Sequence, residues 1–527
     1  MKLRRESPMA VRGEVEAPEL RRILGARVAC ALLPRWIFLR ALGLIFFSAF
    51  YSLARQVHGL IGEHGVLPVA AYLQTVAHSI YYVAERAWYV PSVFWMRPTD
   101  GALTAAVVVG LVCSLLLVAN VWPRAMTAIC TLLFLSFVST LQVFSSYQSD
   151  GMLLEAGFIS IWFAPRGFFP GLGAADPPSR ISLFMLRWEW FRIYFESGLV
   201  KLMSGDAHWR NFTAMDDYYQ NGPLPAWPGW YVQHLPHWYH AGTVAFTLLV
   251  ELVIVWAVFL PRRFRYACFA IVTALQVGII ATANYAFLNY LVLSLGFLLL
   301  DDDAVTWIAR RIRFRRAWVR PAAIRPPRAP RVVAEALALG WIFYATIIAF
   351  LAPGSGGILD LPERVLEPFR IANPYGLFAT MTTARYEIEF QGSNDGGRTW
   401  IVYPFRYKPQ DPMERPGIYA PYQPRFEWNL WFASLEPWQN SPWVVATQAR
   451  LVEGSAAVLA LFRRDPFNGH PPAMVRSVLW QYWFTSRAAK RSTGAWWRRQ
   501  PLGDFAGMVT KGADGRLTFT PPSGEER

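Results

Sequence analysis

The chain has 527 residues, of which 54% are hydrophobic and 17% charged, a composition too apolar for an ordinary soluble protein of two or three domains. Its formal net charge of +15 is concentrated in short arginine-rich segments between apolar runs, which points to membrane orientation and away from a nucleic-acid partner. The four cysteines, Cys30, Cys113, Cys130 and Cys268, lie in or beside apolar runs and form no Cys-x-x-Cys pair, which argues against dithiol redox chemistry.

Residues 1–35 form a basic segment in which Arg21, Arg22 and Arg27 precede the first apolar run. This reads as an uncleaved cytoplasmic anchor and not as a removable signal. Residues 36–352 read as an α-helical multi-pass membrane bundle of about nine spans. They fall near Trp36–Leu53, Leu103–Asn120, Met126–Phe144, Gly151–Ala164, Ile181–Leu202, Thr243–Leu260, Tyr266–Thr282, Ala286–Leu300 and Ala334–Leu351. The aromatic stretch Ala70–Tyr89 is only mildly apolar and is expected to lie in the membrane interface. Every second loop is basic: the N-terminal segment, Arg124, Arg166 with Arg180, Arg262 to Arg265, and the run from Arg310 to Arg331. That alternation orients the N-terminus inside and the C-terminus outside, with contact to membrane lipid.

Residues 353–359 read as a linker, 360–505 as an exported β-rich domain with flanking helices, and 506–527 as a disordered tail. Tyr386 to Phe390 alternates polar and apolar, Asn394-Asp395-Gly396-Gly397 is turn chemistry, and Trp400 to Tyr403 resumes a strand, which together predict a β-hairpin. Continuing the alternation puts Trp400, Tyr403, Phe405 and Tyr407 in a core and leaves Arg406 and Lys408 exposed. Trp443–Arg464 and Met474–Arg491 have helical apolar spacing.

The segment from Arg187 to Leu202 carries five charges where lipid tolerates almost none. Helical spacing places Glu189, Arg192 and Glu196 on one face, where they can neutralise one another, and Arg187 and Lys201 on another. Asp150, Glu155, Asn284 and Asn289 stand at or near predicted outer-face span ends, where they either converge with the Lys201 end of this helix in an outward-facing polar vestibule or only cap helix ends. The outer-face loop 203–241 follows, rich in proline and tryptophan, with Asp206, His208, Trp209, His234 and His237 as candidate site residues. Its histidines have loose spacing and no accompanying cysteine, so no metal and no cofactor is expected. Phosphate, dinucleotide, metalloprotease and nucleophile-elbow motifs find no fitting context.

These same residues resemble the lipase maturation factor family. The likeness runs through Ser149-Asp150-Gly151-Met152-Leu153-Leu154-Glu155-Ala156-Gly157-Phe158, Arg192 to Leu202, Trp209-Arg210, Pro223-Leu224-Pro225 and Thr282-Ala283-Asn284-Tyr285 with Asn289. It continues through Asp301-Asp302, Asn373-Pro374-Tyr375-Gly376-Leu377-Phe378, Met381-Thr382-Thr383, Gly392 to Gly396, Phe405 to Pro409 and Pro421-Tyr422-Gln423-Pro424-Arg425. The resemblance implies a membrane-resident factor that matures newly made secreted proteins, lipases among them, and more a chaperone than an enzyme. It transfers no catalytic residue, and no residue is assigned to client binding. Relatives in animals reside in the endoplasmic reticulum; the bias to alanine and arginine favours a bacterial inner membrane here. A fainter likeness of Gly198-Leu199-Val200-Lys201-Leu202 to vitamin K-dependent gamma-carboxylase implies an alternative, an intramembrane enzyme acting on a lipid-like substrate with Lys201 as its base.

Overall fold

The structure, a computed structural model, describes residues 26–145, 147–311, 329–351 and 357–522. Most of the N-terminal basic segment, Arg313 to Arg328 of the densest arginine run, the linker up to Gly356 and residues 523–527 lie outside the described residues.

Each of the nine expected apolar segments contains a helix: α1 (Leu32–Ile61), α2 (Asp100–Val118), α3 (Pro123–Val138), α4 (Gln148–Phe163), α5 (Arg180–Met203), α6 (His237–Leu252), α7 (Arg262–Thr282), α8 (Leu288–Gly296) and α9 (Ala329–Leu351). Among the described residues five are long and apolar enough to cross a membrane: α1, α2, α6 with its 3-10 extension to Phe259, α7 and α9. In α1, Phe38, Leu42, Phe46, Phe50 and Leu53 are buried at three- and four-residue intervals, while Leu44 and Tyr51 face outwards. On α2, Val108, Val112 and Leu115 are exposed, the apolar exterior that a lipid-facing helix requires. Caps fit the sequence: Thr99 accepts from the Ala102 N–H to start α2, and Ser179 from the Ser182 N–H to start α5. The Ala70–Tyr89 stretch forms two short helices, Val69–Ser79 and Val83–Tyr89, with Tyr81 and Tyr82 exposed between them and Tyr89 exposed at the end of the second.

The two ends of the bundle differ in charge. At one end Asp176 draws in Arg166 at 3.1 Å, Arg124 at 3.5 Å and Arg331 at 3.7 Å, joining three basic connections. At the other end, where α1 finishes, the C-terminal domain sits directly on the helices, with Arg450 bonded to the Gly65 carbonyl and Ser455 to that of His64.

That domain is built on one antiparallel sheet in the order β2-β1-β3-β4-β5, formed by β1 (Arg385–Ser393), β2 (Ile401–Val402), β3 (Met474–Phe484), β4 (Trp497–Lys511) and β5 (Leu517–Thr520). The hairpin read from the sequence pairs Gln391 with Val402 and Gly392 with Ile401. Helices α10 (Arg425–Ala433) and α11 (Pro442–Val452) cover the sheet, and Gln448 of α11 donates to the Val475 and Gly507 carbonyls.

Four expectations are corrected here. Met474–Phe484 is a central strand and not a helix, because β1 and β4 pair with it on both sides and its mixture of apolar and aromatic residues packs on both faces. Residues 506–522 are not a disordered tail; they finish β4 and form β5. The helix expected to reach Arg464 ends at Val452, with only a short turn at Ala456–Leu459. After Val402 the chain leaves the sheet, so the alternation fails: Tyr403 and Phe405 are buried, Trp400 is only half-buried beneath the Arg476 guanidinium, and Lys408 is buried. The Lys408 ammonium donates to the Ile388 carbonyl at 2.6 Å and pairs with Glu387 at 2.8 Å.

Candidate functional site

The charged helix α5 uses its carboxylates and guanidinium on a loop of the C-terminal domain. Arg192 is fully buried and pairs with Glu155 of α4, and its Nη1 donates to the Asn373 carbonyl at 2.6 Å. The remaining Glu155 oxygen accepts from the Tyr375 hydroxyl at 2.8 Å and from the Asn373 backbone and side-chain N–H groups at 3.2 and 3.3 Å. Glu196 lies 3.8 Å from Arg192 and accepts the Tyr375 N–H at 2.8 Å. Gln148 and Ser197 accept from the N–H groups of Gly376 and Leu377. Gly151 makes this seat: a Cβ there would stand 2.9 Å from the Asn373 amide oxygen. Glu189 departs from expectation, since it is fully buried with no ion pair to Arg192, which turns instead to Glu155.

A second loop docks alongside. Arg425, at the start of α10, forms a two-pronged pair with Asp150, Nη1 to Oδ2 at 2.7 Å and Nη2 to Oδ1 at 2.8 Å, with both side chains fully buried. Such planar, bidentate geometry is what a desolvated carboxylate needs to stay paired. Asn284 accepts from the N–H groups of Tyr419 and Ala420 and donates to the Leu224 and Gly417 carbonyls. Gln56 of α1 accepts from Phe426 and donates to the Gln423 carbonyl. The vestibule expected from Asp150, Glu155 and Asn284 is therefore filled by the protein's own C-terminal domain.

Lys201, on the next turns of α5, meets a carboxylate the sequence reading did not single out. Its ammonium donates to both oxygens of Glu251 on α6, at 2.9 and 2.8 Å, and lies over the Trp209 ring. The two helices approach this closely because residue 198 is glycine; a Cβ there would stand 2.8 Å from that of Glu251. A lone carboxylate in the apolar run of α6 was the available signal, since an intramembrane acid needs a partner. Arg187 stands apart and donates to the Leu298 carbonyl at 2.8 Å. Asn289 does not join Asn284 either: it donates to Gln276, which donates to the Tyr194 hydroxyl. Beside Lys201 and Asn289 lies a cavity of about 490 Å³, walled largely by apolar and aromatic side chains.

In the loop after α5, Asp206 accepts from the N–H groups of His208 at 2.9 Å and of Met381 at 2.6 Å, and pairs with the His208 ring. Burial disfavours the charged form, but these donors outweigh it and hold the Asp206 carboxyl below the usual aspartate range. Trp209 is buried and donates to the Phe378 carbonyl at 2.9 Å. His234 bonds the Trp230 carbonyl and His237 the Asp216 carboxylate. Among the described residues no three His, Cys, Asp or Glu side chains form a group able to hold a metal.

Residues 33–307 match the family model of the lipase maturation factor transmembrane domain, and residues 371–507 that of the lipase maturation factor C-terminal domain. Lipase maturation factor 1 of Bos taurus is 30% identical over 502 residues, covering 90% of this chain and 88% of its own. Lipase maturation factor 2 of Homo sapiens is 30% identical over 601 residues, covering 92% and 84%, and that of Gallus gallus 28% identical over 590 residues, covering 91% and 82%. No solved structure matches the chain. The carboxylase-like alternative draws no support from these relatives, and the Lys201 ammonium is held by both oxygens of Glu251. Since both halves match in order, and the docking residues Asp150, Glu155, Asn373 and Arg425 fall inside the two matched ranges, the chain belongs to the lipase maturation factor family.

Proposed function

We propose that the chain is a membrane-resident maturation factor whose C-terminal domain is exported and handles a newly secreted client, by kinship a lipase. The observation that carries this reading is the docking: Arg192, Glu155, Glu196 and Asp150 bind Asn373, Tyr375 and Arg425 of the C-terminal domain. The charges within the bundle thus serve to position the C-terminal domain. Among the described residues the nine helices of the bundle, like the five most apolar of them, are odd in number, which supports a C-terminal domain opposite the N-terminus. The clustering of Arg124, Arg166 and Arg331 at the far end supports a cytoplasmic location for that end. The membrane would be a bacterial inner membrane, as the composition suggests.

Deleting the gene in its host while monitoring a secreted lipase tests the role. Lipase antigen is expected to persist while its specific activity falls, with restoration by the wild-type chain. Unchanged specific activity across the host's secreted lipases would remove the lipase client. Reporters fused after Arg265 should read cytoplasmic and those fused near Trp230 or after Gly397 exported; the reverse pattern would overturn the orientation.

A further inference from the structure

The cavity beside Lys201 lies between α5, α6 and α7, at the level where α6 and α7 are apolar enough to be embedded in a membrane. Ile193, Phe246, Leu275, Ile279 and Val292 supply its walls, and Phe378 of the docked loop closes the end towards the C-terminal domain. Its volume of about 490 Å³ falls within the ~300–1,000 Å³ typical of sites for small ligands.

The two charged groups of the lining are turned to one another. Lys201 and Glu251 neutralise each other, and Asn289, Gln276 and Tyr194 are linked in a row by hydrogen bonds. The cavity therefore offers neither net charge nor an open carboxylate to a polar ligand, and favours hydrocarbon.

Its mouth has a matching shape. Gly242 on α6 and Gly278 on α7 both line the cavity, and a Cβ added at either would meet nothing within 4 Å. Exposed Phe246 and Val277 stand beside them. An apolar opening between two helices embedded in lipid borders on acyl chains and not on water, so filling it with hydrocarbon avoids leaving either a void or stranded water.

We propose that this cavity is a lateral site for a single acyl chain, entering from the membrane between Gly242 and Gly278. The site is independent of the client's identity and assigns no reaction to Lys201. The chain can belong to a membrane phospholipid or to a free fatty acid, which share the hydrocarbon that the walls recognise.

The test uses the full-length protein in phosphatidylcholine vesicles with either a phosphatidylcholine carrying a diazirine in one acyl chain or a diazirine fatty acid at equal mole fraction. After illumination, labelled peptides are mapped. Labelling is expected to concentrate on the lining segments around Ile193, Phe246 and Leu275, and the arm that produces it identifies the source; labelling in both arms means that the site accepts either. Gly278→Trp is expected to lower the labelling at least tenfold, and Gly242→Trp serves as a second plug. Gly340→Trp, on α9 with equally open surroundings, is expected to leave it unchanged. All variants are compared at matched size-exclusion profiles. Labelling of the lining no stronger than on Val108, Val112 and Leu115 of lipid-facing α2, or persisting unchanged in whichever plugged variant keeps the wild-type profile, would overturn the proposal.

Discussion

Lys201 shows how one side chain changes meaning once its partner is known. With 2% of its surface exposed and two short bonds to Glu251, it is half of a buried ion pair. Removing one partner of such a pair costs about 3–5 kcal/mol, because the other charge is left stranded. Lys201→Met is therefore expected to lower the thermal midpoint of the detergent-purified protein by several degrees. Lys201→Met/Glu251→Met should recover most of that loss, and Lys201→Arg should keep both the fold and client maturation. An abundant, folded Lys201→Arg protein that matures no client would restore a chemical role for the lysine. The sequence made the need for partners legible and the partners themselves illegible. Helical spacing nominates only same-helix neighbours, so it offered Glu189 to Arg192, whereas the structure supplies Glu155 from 37 positions away. Lys408 was misjudged for a related reason: strand alternation describes a face, but the chain had already left the sheet.

At the scale of elements, long apolar helices were readable and the strand Met474–Phe484 was not. Apolar runs announce themselves by length, but a central strand covered on both faces loses its period of two and imitates a buried helix. The tail failed similarly, since β5 is short and exposed and is held by pairing to β4, a long-range contact that local composition cannot report. The outer-face loop after α5 was legible as a place for candidate site residues, yet its fastening depends on Asp206 gripping the Met381 N–H across 175 positions. Because the folded-state pKa of Asp206 is depressed, the unfolded chain binds the extra proton as acidity rises, and stability increases with pH through that window. The contribution is complete above the unfolded value of roughly 3.9 and is lost as pH falls through the lower folded value. Wild type should therefore melt above Asp206→Asn at pH 7, and the gap should close on acidification below about pH 4. A gap that stays constant with pH would show that the carboxylate's charge is not what fastens the loop.

For the whole molecule, the sequence suggested a membrane bundle joined by a linker to an exported domain, and the structure shows the two halves interlocked through buried charge. The family blocks at Asp150–Glu155 and Asn373–Phe378 were legible as separate motifs, but nothing in one sequence says that they touch. Glu155 and Tyr375 are 220 positions apart and 2.8 Å from each other. This interlock makes a direct expectation. If a protease site is inserted between Leu351 and Gly357 and cleaved after purification in mild detergent, the fragment carrying the sheet should remain bound to the helical bundle. Raising the salt to about 1 M should not release it, because screening acts strongly on exposed charges and weakly on buried pairs such as Arg425 with Asp150. Asn373→Asp should release it, since the new carboxylate would face Glu155 where an amide now donates a hydrogen bond, and like charges desolvated together repel. Size-exclusion chromatography of the cleaved protein decides the matter: a wild-type fragment that separates on its own would mean that the linker, and not the dock, holds the halves together.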